Sequence, residues 1–361
     1  MQQNIRALAI CGASLLSFSA QAHNVKADDH APIGVMADHA HKKGEFMLSV
    51  RHMHMEMEGN QIGTDNISPD TIVTTVPNRF AGAPMQPPTL RIVPTQMRTD
   101  MTMVGAMYAP SDTVTLMVMG SYIEKEMEHI TYMGGMGTAV RGEFTTNPKG
   151  FGDITAGAIF PVLGVADRKS DNQQELNLRA AISVPTGSTT KTAQILTPMG
   201  GTPTVRVPYM MQLGTGTWDL KPAATFKGWS GKLGYGVQYA GTIRTGTNDE
   251  GYRFGDIHEG TAWLSYLPAQ WISLSGRVKA RTMGRVKGID PVIIGPVQTA
   301  NPDFQGGERV DLIAGVNLVS THGALAGHRL AFELGAPVHQ DLNGPQMAGD
   351  WMFTVGWQKA F

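Results

Sequence analysis

The feature that most constrains this chain is a regular alternation of apolar and polar residues, which is clearest in the final segment. Apolar residues there recur at alternate positions, with one interruption at Lys359: Trp351, Phe353, Val355, Trp357 and Phe361. Successive side chains of a β-strand point to opposite faces. The spacing therefore predicts a strand with one apolar and one polar face.

The same alternation recurs in twelve segments separated by clusters of Gly, Pro, Asn and Asp. These segments are centred near Val50, Val104, Val118, Ala156, Ile182, Ala224, Val237, Ala262, Leu274, Ala314, Leu334 and Val355. Short connections, such as 110–112 and 267–269, alternate with longer ones, such as 59–97 and 188–215. Each segment can supply the roughly 9 to 11 residues of a tilted transmembrane strand, and this loop pattern is typical of outer-membrane barrels.

The polar face of these segments distinguishes a membrane barrel from a soluble β-sandwich, because both alternate. Here the polar face is charged and rich in glycine, while the apolar face carries aromatic residues of the kind found at membrane interfaces. We therefore predict an all-β, transmembrane, antiparallel up-and-down β-barrel of about 12 strands, with short periplasmic turns and longer outer loops. The last strand also resembles the signal read by the outer-membrane assembly machinery, for which Trp357 and Phe361 are the candidates.

The N-terminus indicates export. Arg6 precedes an apolar run, Ala7–Phe18, and Ala20-Gln21-Ala22 has the small-x-small pattern of a signal-peptide cleavage site. Cys11 is the single cysteine and lies in this peptide, so we expect no disulfide or thiolate site in the exported chain. The predicted parts are a signal peptide at 1–22, a His-rich periplasmic segment at 23–43 and the outer-membrane β-barrel at 44–361.

Several stretches resemble the outer-membrane transporter family of the meta-cleavage pathway of phenol degradation. They follow in order over most of the chain after residue 22: MADHAHKKGEFMLSVRHMHMEMEGN, MYAPSDTVTLMVM, GFGDI, SVPTGS, MQLGTGTWDL and HQDLNGPQMAGDWMFTVGWQKAF. The resemblance implies a barrel in the bacterial cell outer membrane with a transport role. The substrates of the family are poorly defined, so the resemblance implies location more firmly than cargo.

Methionine is abundant, with 22 residues, and strand parity places many of them on the predicted inner face. If Phe46, Leu48 and Val50 face lipid, the residues between them face the lumen, and the next strand adds a second row. The candidates for lining the lumen from these two strands are Arg51, Met53, Met55, Met57, Met101, Met103 and Met107. Three interpretations stay open: a filler of a narrow interior, a path for hydrophobic or aromatic solutes, or weak sites for Cu(I) or Ag(I).

Charged residues recur on the inner faces of later strands. The remaining candidates for lining the lumen are Arg179, Arg244, Arg277, Asp311, Arg329 and Glu333, and the same parity turns His339 inward. Charged walls can tune ion passage. They can also pair across the interior and close it, because unpaired buried charges are costly.

Histidines crowd the start of the exported chain at His23, His30, His39 and His41, interleaved with aspartates. A second set, His52 and His54, alternates in the first strand. The candidate metal ligands are His39, His41, His52 and His54. Their spacing matches no zinc signature, and solvated His-rich termini are common without a metal role, so both interpretations stay open.

Two function classes are disfavoured by the sequence. The 29 basic and 30 acidic residues are balanced, so no nucleic-acid partner is expected. The chain has no G-x-S-x-G motif, and no convincing nucleophile accompanies His258 and Glu259, so we predict no catalytic residues and no enzyme.

The predicted function is an outer-membrane channel for passive or facilitated passage of a small hydrophobic or aromatic solute. The loop at 59–97 would act as a constriction, stiffened by Pro84, Pro87 and Pro88. The alternatives are a copper- or silver-related outer-membrane protein that uses Met and His, and a plugged structural barrel. Expected partners are outer-membrane lipid, the outer-membrane assembly machinery and the small-molecule solute. No cofactor is expected apart from weak copper or silver binding.

Overall fold

The computed structural model describes residues 26–135, 137–164, 168 and 170–361. The predicted signal peptide at 1–22 and His23 lie outside these residues. The strands are β1 (Phe46–Gly63), β2 (Asp65–Asn66), β3 (Ile92–Ser111), β4 (Val114–Tyr132), β5 (Val140–Thr146), β6 (Lys149–Phe151), β7 (Ile154–Leu163), β8 (Gln174–Val184), β9 (Thr192–Gln194), β10 (Thr204–Arg206), β11 (Asp219–Leu220), β12 (Ala223–Ser230), β13 (Leu233–Arg244), β14 (Tyr252–Arg253), β15 (Ile257–Ala269), β16 (Ile272–Met283), β17 (Lys287–Gly288), β18 (Gly307–Val319) and β19 (His328–Ala360).

The long strands close into one antiparallel ring. Its order is β1, β3, β4, β7, β8, β12, β13, β15, β16, β18 and β19, and β19 pairs again with β1. Each ring strand lies beside the ring strand that follows it in sequence, as in an up-and-down barrel. The predicted closed antiparallel barrel is confirmed, with eleven ring strands as the structure bounds them and short additional strands outside the ring.

β19 differs from the other ring strands because its two halves have different partners. Residues 329–342 pair with β18, whereas residues 342–360 pair with β1. The halves also contact each other: the ring centroids of Phe332 and Phe353 are 6.4 Å apart, and the side-chain amide of Gln340 donates to the carbonyl of Gly349 at 3.0 Å. β19 thus supplies two adjacent stretches of the barrel wall.

The outer face of the wall is apolar along its middle and aromatic towards both ends. Exposed aliphatic side chains along the middle include Val50, Val104, Val118, Leu178, Val237, Leu264, Leu312 and Leu334. Exposed aromatic side chains lie at the end that holds the C-terminus (Phe46, Tyr108, Phe160, Tyr266, Trp271 and Phe361) and at the opposite end (Tyr122, Phe151, Trp218, Tyr239 and Trp351). The face predicted to be apolar in the last strand is therefore the outer face.

A β-bulge in β19 changes the orientation of His339. The pairing of β18 with β19 shifts between Val310 and Asp311, so that Asp311 lies opposite Pro337 and Val310 lies opposite His339. The extra residue reverses the alternation beyond it. The sequence predicted that His339 points into the lumen. This prediction is wrong, because His339 is exposed.

Long connections cover the end of the barrel away from the C-terminus. They share a hydrophobic core made of residues from five connections and the adjoining strand ends: Ile92, Tyr209, Tyr252, Phe254, Met283, Val286, Ile293, Val297 and Ala300, with Phe80, Phe144, Ile195 and Ile257 packed against it. We call this assembly the outer cap. Besides this hydrophobic core, the connections contain two small two-stranded sheets, β9 with β10 and β14 with β17.

The predicted loop 59–97 is part of the outer cap and is shorter than predicted, because β1 continues to Gly63 and β3 begins at Ile92. It contains the helix α1 (Pro69–Thr75), whose first turn is capped by the Ser68 hydroxyl accepting from the Thr71 amide. The amides of Arg91 and Ile92 donate to Pro296, at 2.9 and 3.1 Å, which ties this loop to another connection. No helix among the described residues is long and apolar enough to cross a membrane.

Candidate functional site

The strand register places the predicted lumen residues on the inner face of the barrel. Met53 of β1 lies between Met101 of β3 and the buried Thr354 of β19, whereas the neighbouring Val104 and Val50 are exposed. The same alternation turns all the lumen candidates inward: Arg51, Met53, Met55, Met57, Met101, Met103, Met107, Arg179, Arg244, Arg277, Asp311, Arg329 and Glu333. The interior is therefore a mixed surface of thioethers and charged groups.

A cavity of about 290 Å³ lies inside the barrel beneath the outer cap. Seven methionines line it: Met55, Met57, Met97, Met127, Met210, Met283 and Met347. The volume is close to the lower end of the range typical of small-molecule sites, about 300 Å³. Thioether side chains are flexible and polarisable, so such a wall adapts to differently shaped apolar or aromatic groups.

Of the predicted methionines, Met55 and Met57 line this cavity, whereas Met101 and Met103 lie further along the lumen. Met97 and Met127 could have been found from the sequence, because they continue the inward alternation of their strands. Met210 could not, since it comes from a short 3-10 turn in a long connection whose position depends on tertiary packing.

Two guanidinium groups give the cavity a polar side. Arg281 approaches the sulfur of Met283 at 3.6 Å through Nη2, and Arg309 approaches the sulfur of Met55 at 3.9 Å through Nη1. Arg309 also lies 2.9 Å from a carboxylate oxygen of Asp311. The cavity thus combines an apolar thioether wall with fixed positive charge.

The N-terminal residues 26–43, which we call the inserted segment, lie within the barrel. The sequence predicted a His-rich periplasmic segment at 23–43 and left open whether it is solvated. Among the described residues of this segment, Ala27, Ile33 and Val35 are almost fully buried, with at most 2% exposure. The segment enters beside Gln270, whose carbonyl accepts from the Ala27 amide at 2.9 Å, and it leaves towards β1. The inserted segment therefore fills the lumen at the end of the barrel that holds the C-terminus.

Barrel side chains hold the inserted segment mainly by its backbone. Six side-chain nitrogens donate to its carbonyl groups at 2.6 to 3.2 Å: Lys227 to Asp29, Trp229 to Asp28, Gln238 to Met36, Asn177 to Asp38, Arg329 to Ala31 and Asn317 to Ala27. The Gly34 amide donates to the carboxylate of Glu333 at 2.7 Å. These donors come from several strands, so the segment is fixed on more than one side.

Gly34 lies directly against Arg277 and Glu333 of the wall. A β-carbon at this position would lie 2.3 Å from Nη2 of Arg277 and 2.4 Å from Oε2 of Glu333. Those two groups are themselves joined by two hydrogen bonds of 2.8 Å, and both are buried. Only glycine fits here without separating the ion pair.

Four of the six charges predicted to line the lumen on the later strands form ion pairs. Arg277 pairs with Glu333, Arg244 with Asp219, and Asp311 with Lys279 at 3.0 Å. Arg179 and Arg329 instead donate to the carbonyl groups of Lys221 and Ala31. The pairs join strands on one side of the wall, so they do not by themselves close the interior.

The predicted metal-ligand candidates separate into two places. His52 and His54 lie on the outer face, where both contact Asp100, at 3.4 and 2.8 Å. His39 and His41 lie in the inserted segment, with ring centroids 4.7 Å apart. The four histidines therefore cannot share one ion, because the barrel wall separates the pairs.

Burial changes the protonation of the histidines in the inserted segment. It lowers the pKa of His30 well below its ordinary value, and burial likewise lowers the pKa of His39 despite the opposing effect of Asp38. Burial raises the pKa of Asp38, but His39 and Lys227 outweigh it and the net pKa lies well below its usual value. At neutral pH the segment therefore carries neutral imidazoles beside an ionised carboxylate.

No protein-family model matches the sequence, and a search of curated proteins finds no significant match. Among solved structures, the chain is similar to an outer-membrane channel from Pseudomonas putida F1, with 12% identity and a TM-score of 0.57. The alignment covers 91% of this chain and 99% of that one. At this level of identity, the likeness shows a shared barrel fold.

Weaker matches include the beta domain of the Bordetella autotransporter BrkA, with 10% identity and a TM-score of 0.42 over 88% of this chain and 100% of that one. The Pseudomonas putida toluene transporter TodX matches with 9% identity and a TM-score of 0.37 over 89% of this chain and 91% of that one. These scores are too low to support an inference about this chain.

Proposed function

We propose that the protein is an outer-membrane channel for small hydrophobic or aromatic solutes, which bind in the methionine-lined cavity during passage. The observation that carries this proposal is the set of seven methionines around one cavity beneath the outer cap. An apolar, deformable wall recognises ring and alkyl groups without demanding one shape. The similar protein from Pseudomonas putida F1 is an outer membrane channel, which agrees with this proposal.

The charges beside the cavity favour a neutral or anionic solute over a copper or silver ion. Methionine sulfur alone would suit a soft cation. The guanidinium groups of Arg281 and Arg309 lie against two of these sulfurs, however, so these two thioethers are not free to bind an ion. A solute that joins an aromatic ring to an acidic group would satisfy the thioethers and the guanidiniums together.

We further propose that the wall spans the outer membrane with twelve crossings. The two halves of β19 pair with different neighbours and contact each other, as the two strands of a hairpin do. Exposed aliphatic residues between two sets of exposed aromatic residues match the outward face of a membrane barrel. The signal peptide at 1–22, the assembly signal at Trp357 and Phe361, and the link to phenol degradation are parts of the same proposal.

Replacing Leu264 by arginine tests the membrane placement. Leu264 is 68% exposed on the outer face of β15, so in a water-soluble barrel this substitution would change stability little. In a bilayer, an arginine near mid-depth lowers the free energy of unfolding by about 2 to 4 kcal/mol. The measurement is reversible folding into lipid vesicles, followed by denaturant titration.

Leu325→Arg is the matched control, because Leu325 is 62% exposed but lies in the turn between β18 and β19. We expect its free energy of unfolding to stay within about 0.5 kcal/mol of the wild type. Equal effects of the two substitutions would contradict a lipid-facing wall at Leu264.

The double variant Met55→Gln/Met57→Gln tests the solute site. Glutamine has nearly the shape of methionine, so the cavity keeps its volume but loses apolar contact worth about 1 kcal/mol per side chain. Binding of phenol, measured by titration calorimetry on purified protein, should therefore weaken about 30-fold. Uptake of radiolabelled phenol by a porin-deficient Gram-negative host should fall in parallel.

The matched control is Met101→Gln/Met103→Gln, which changes two inward methionines that do not line the cavity. This variant should bind phenol as the wild type does. Glucose should neither bind nor enter faster than in cells that lack the protein. Equal entry of glucose and phenol would indicate an unselective pore, and entry of neither would indicate a structural barrel.

A further inference from the structure

Two stretches of the inserted segment meet at a cluster of metal-ligand residues. One ligand atom each from His30, Asp38 and His39 lies within 4.8 Å of the others. The ring centroids of His30 and His39 are 4.3 Å apart, with the ring planes at 84°. Imidazole nitrogen and carboxylate oxygen are preferred ligands of Zn²⁺ and related divalent ions. We propose that His30, Asp38 and His39 bind a divalent transition-metal ion that holds the inserted segment in its folded-back form.

A free nitrogen supports this site. Within the part of the chain that the structure describes, Nδ1 of His30 is buried and has no hydrogen-bond partner. Nδ1 of His39 lies 2.9 Å from Oδ1 of Asp38, which is close enough for both atoms to bind one ion. These three atoms are the candidate ligands.

His41 lies next to this site but is not one of its three ligands. Its ring centroid is 4.7 Å from that of His39. The ligand atoms of His30, Asp38 and His39 lie within 4.8 Å of one another, and His41 contributes none to this group. Three protein ligands are the number found in zinc sites that keep an open fourth position.

Nearby positive charge does not exclude the ion. Lys227 is one of the cations near the site, with Nζ 3.7 Å from Oδ2 of Asp38, and Arg329, which donates to the Ala31 carbonyl, is another. Lys227 lies closer to Glu175, at 3.4 Å, and it donates to the Asp29 carbonyl at 2.9 Å. Lys227 therefore keeps an anionic partner when Asp38 binds a metal. The site differs in this respect from the methionine cavity, where guanidiniums approach the sulfurs themselves.

A metal here would act on the shape of the inserted segment. His30 and the pair Asp38 and His39 lie on either side of Gly34, the residue that contacts Glu333. An ion bound to both sides closes a loop around this contact and reduces the freedom of the undocked segment, which favours docking. Metal binding and closure of the lumen are thus coupled in this proposal.

The test is a titration of untagged, full-length protein with Co²⁺ in detergent, monitored by the visible d–d absorption of the bound ion. We expect one Co²⁺ per chain, displaced by one equivalent of Zn²⁺. His30→Gln/His39→Gln should weaken Co²⁺ binding at least about tenfold. His52→Gln/His54→Gln, the matched control on the outer face, should leave it unchanged.

Proteinase K cleavage between Ala31 and Val35 reports whether the inserted segment stays docked in each variant, because this stretch is buried apart from Gly34. If the double histidine variant releases the segment, Asp38→Asn serves instead, because asparagine keeps an acceptor for His39 but removes the ligand charge. It should also weaken binding at least about tenfold while cleavage stays slow. Wild-type binding weaker than about 10 µM, or full binding by both site variants, would overturn the proposal.

Discussion

Deletion of residues 26–43 is expected to change the barrel from a closed state to one that conducts ions steadily in planar bilayers. The inserted segment fills the lumen near the C-terminal end of the wall, and barrel side chains hold it there through its carbonyl groups. Without it, donors such as Lys227, Trp229 and Arg329 would face water, and the lumen would be hydrated from that end. The measurement is single-channel recording of wild-type and deleted protein under identical voltage and salt.

Gly34→Leu gives an independent version of this experiment in a full-length chain. A larger side chain at this point cannot fit against the Arg277–Glu333 pair, so the segment should leave the lumen for part of the time and produce flickering openings. Gly82→Leu is the control, because a β-carbon at Gly82 meets nothing within 4 Å. A deleted barrel that stays closed would show that the outer cap, not the inserted segment, limits conduction.

Arg277→Met should lower the free energy of unfolding by about 3 to 5 kcal/mol, the cost typical of leaving one partner of a buried ion pair uncompensated. Arg277 and Glu333 are both buried and share two hydrogen bonds of 2.8 Å. After the substitution, Glu333 would keep the Gly34 amide as a donor but no cation at this distance. Denaturant titration of the folded barrel in lipid vesicles measures the change.

The control is Arg98→Met on the outer face. Arg98 lies 3.2 Å from Glu56, but its side chain is 45% exposed, and exposed pairs contribute about 0 to 1 kcal/mol. Adding Glu333→Gln to Arg277→Met should recover part of the lost stability, since the buried charge is then removed. If Arg277→Met and Arg98→Met cost the same, the pair at Glu333 is not buried as the structure has it.

The strands of the barrel wall could be predicted from the sequence because the alternation of apolar and polar residues is a local property. Every predicted strand centre, from Val50 to Val355, lies within a ring strand, and the predicted lumen residues face inward. The exception at His339 has a local cause as well: β19 carries one extra residue, Val338, opposite the step from Val310 to Asp311, and the alternation reverses there.

The inserted segment could not be predicted because its contacts are far apart in sequence. The Gly34 amide meets a residue 299 positions away, and Ala31 meets one 298 positions away. Only the composition gave a hint, since Ile33 and Val35 are unusual in a solvated terminus. The methionine cavity could be predicted only in part. Its strand methionines follow the alternation of their strands, whereas the position of Met210 depends on how a long connection folds back.

The way in which the inserted segment is held fixes when it can dock during folding. Its partners Asn177 and Lys227 lie in the paired strands β8 and β12, whereas Arg329 lies in β19, the last ring strand in sequence. Contacts of such long range require the intervening chain to be ordered first. We therefore expect the inserted segment, although it comes first in the described sequence, to dock only after β19 has joined the ring.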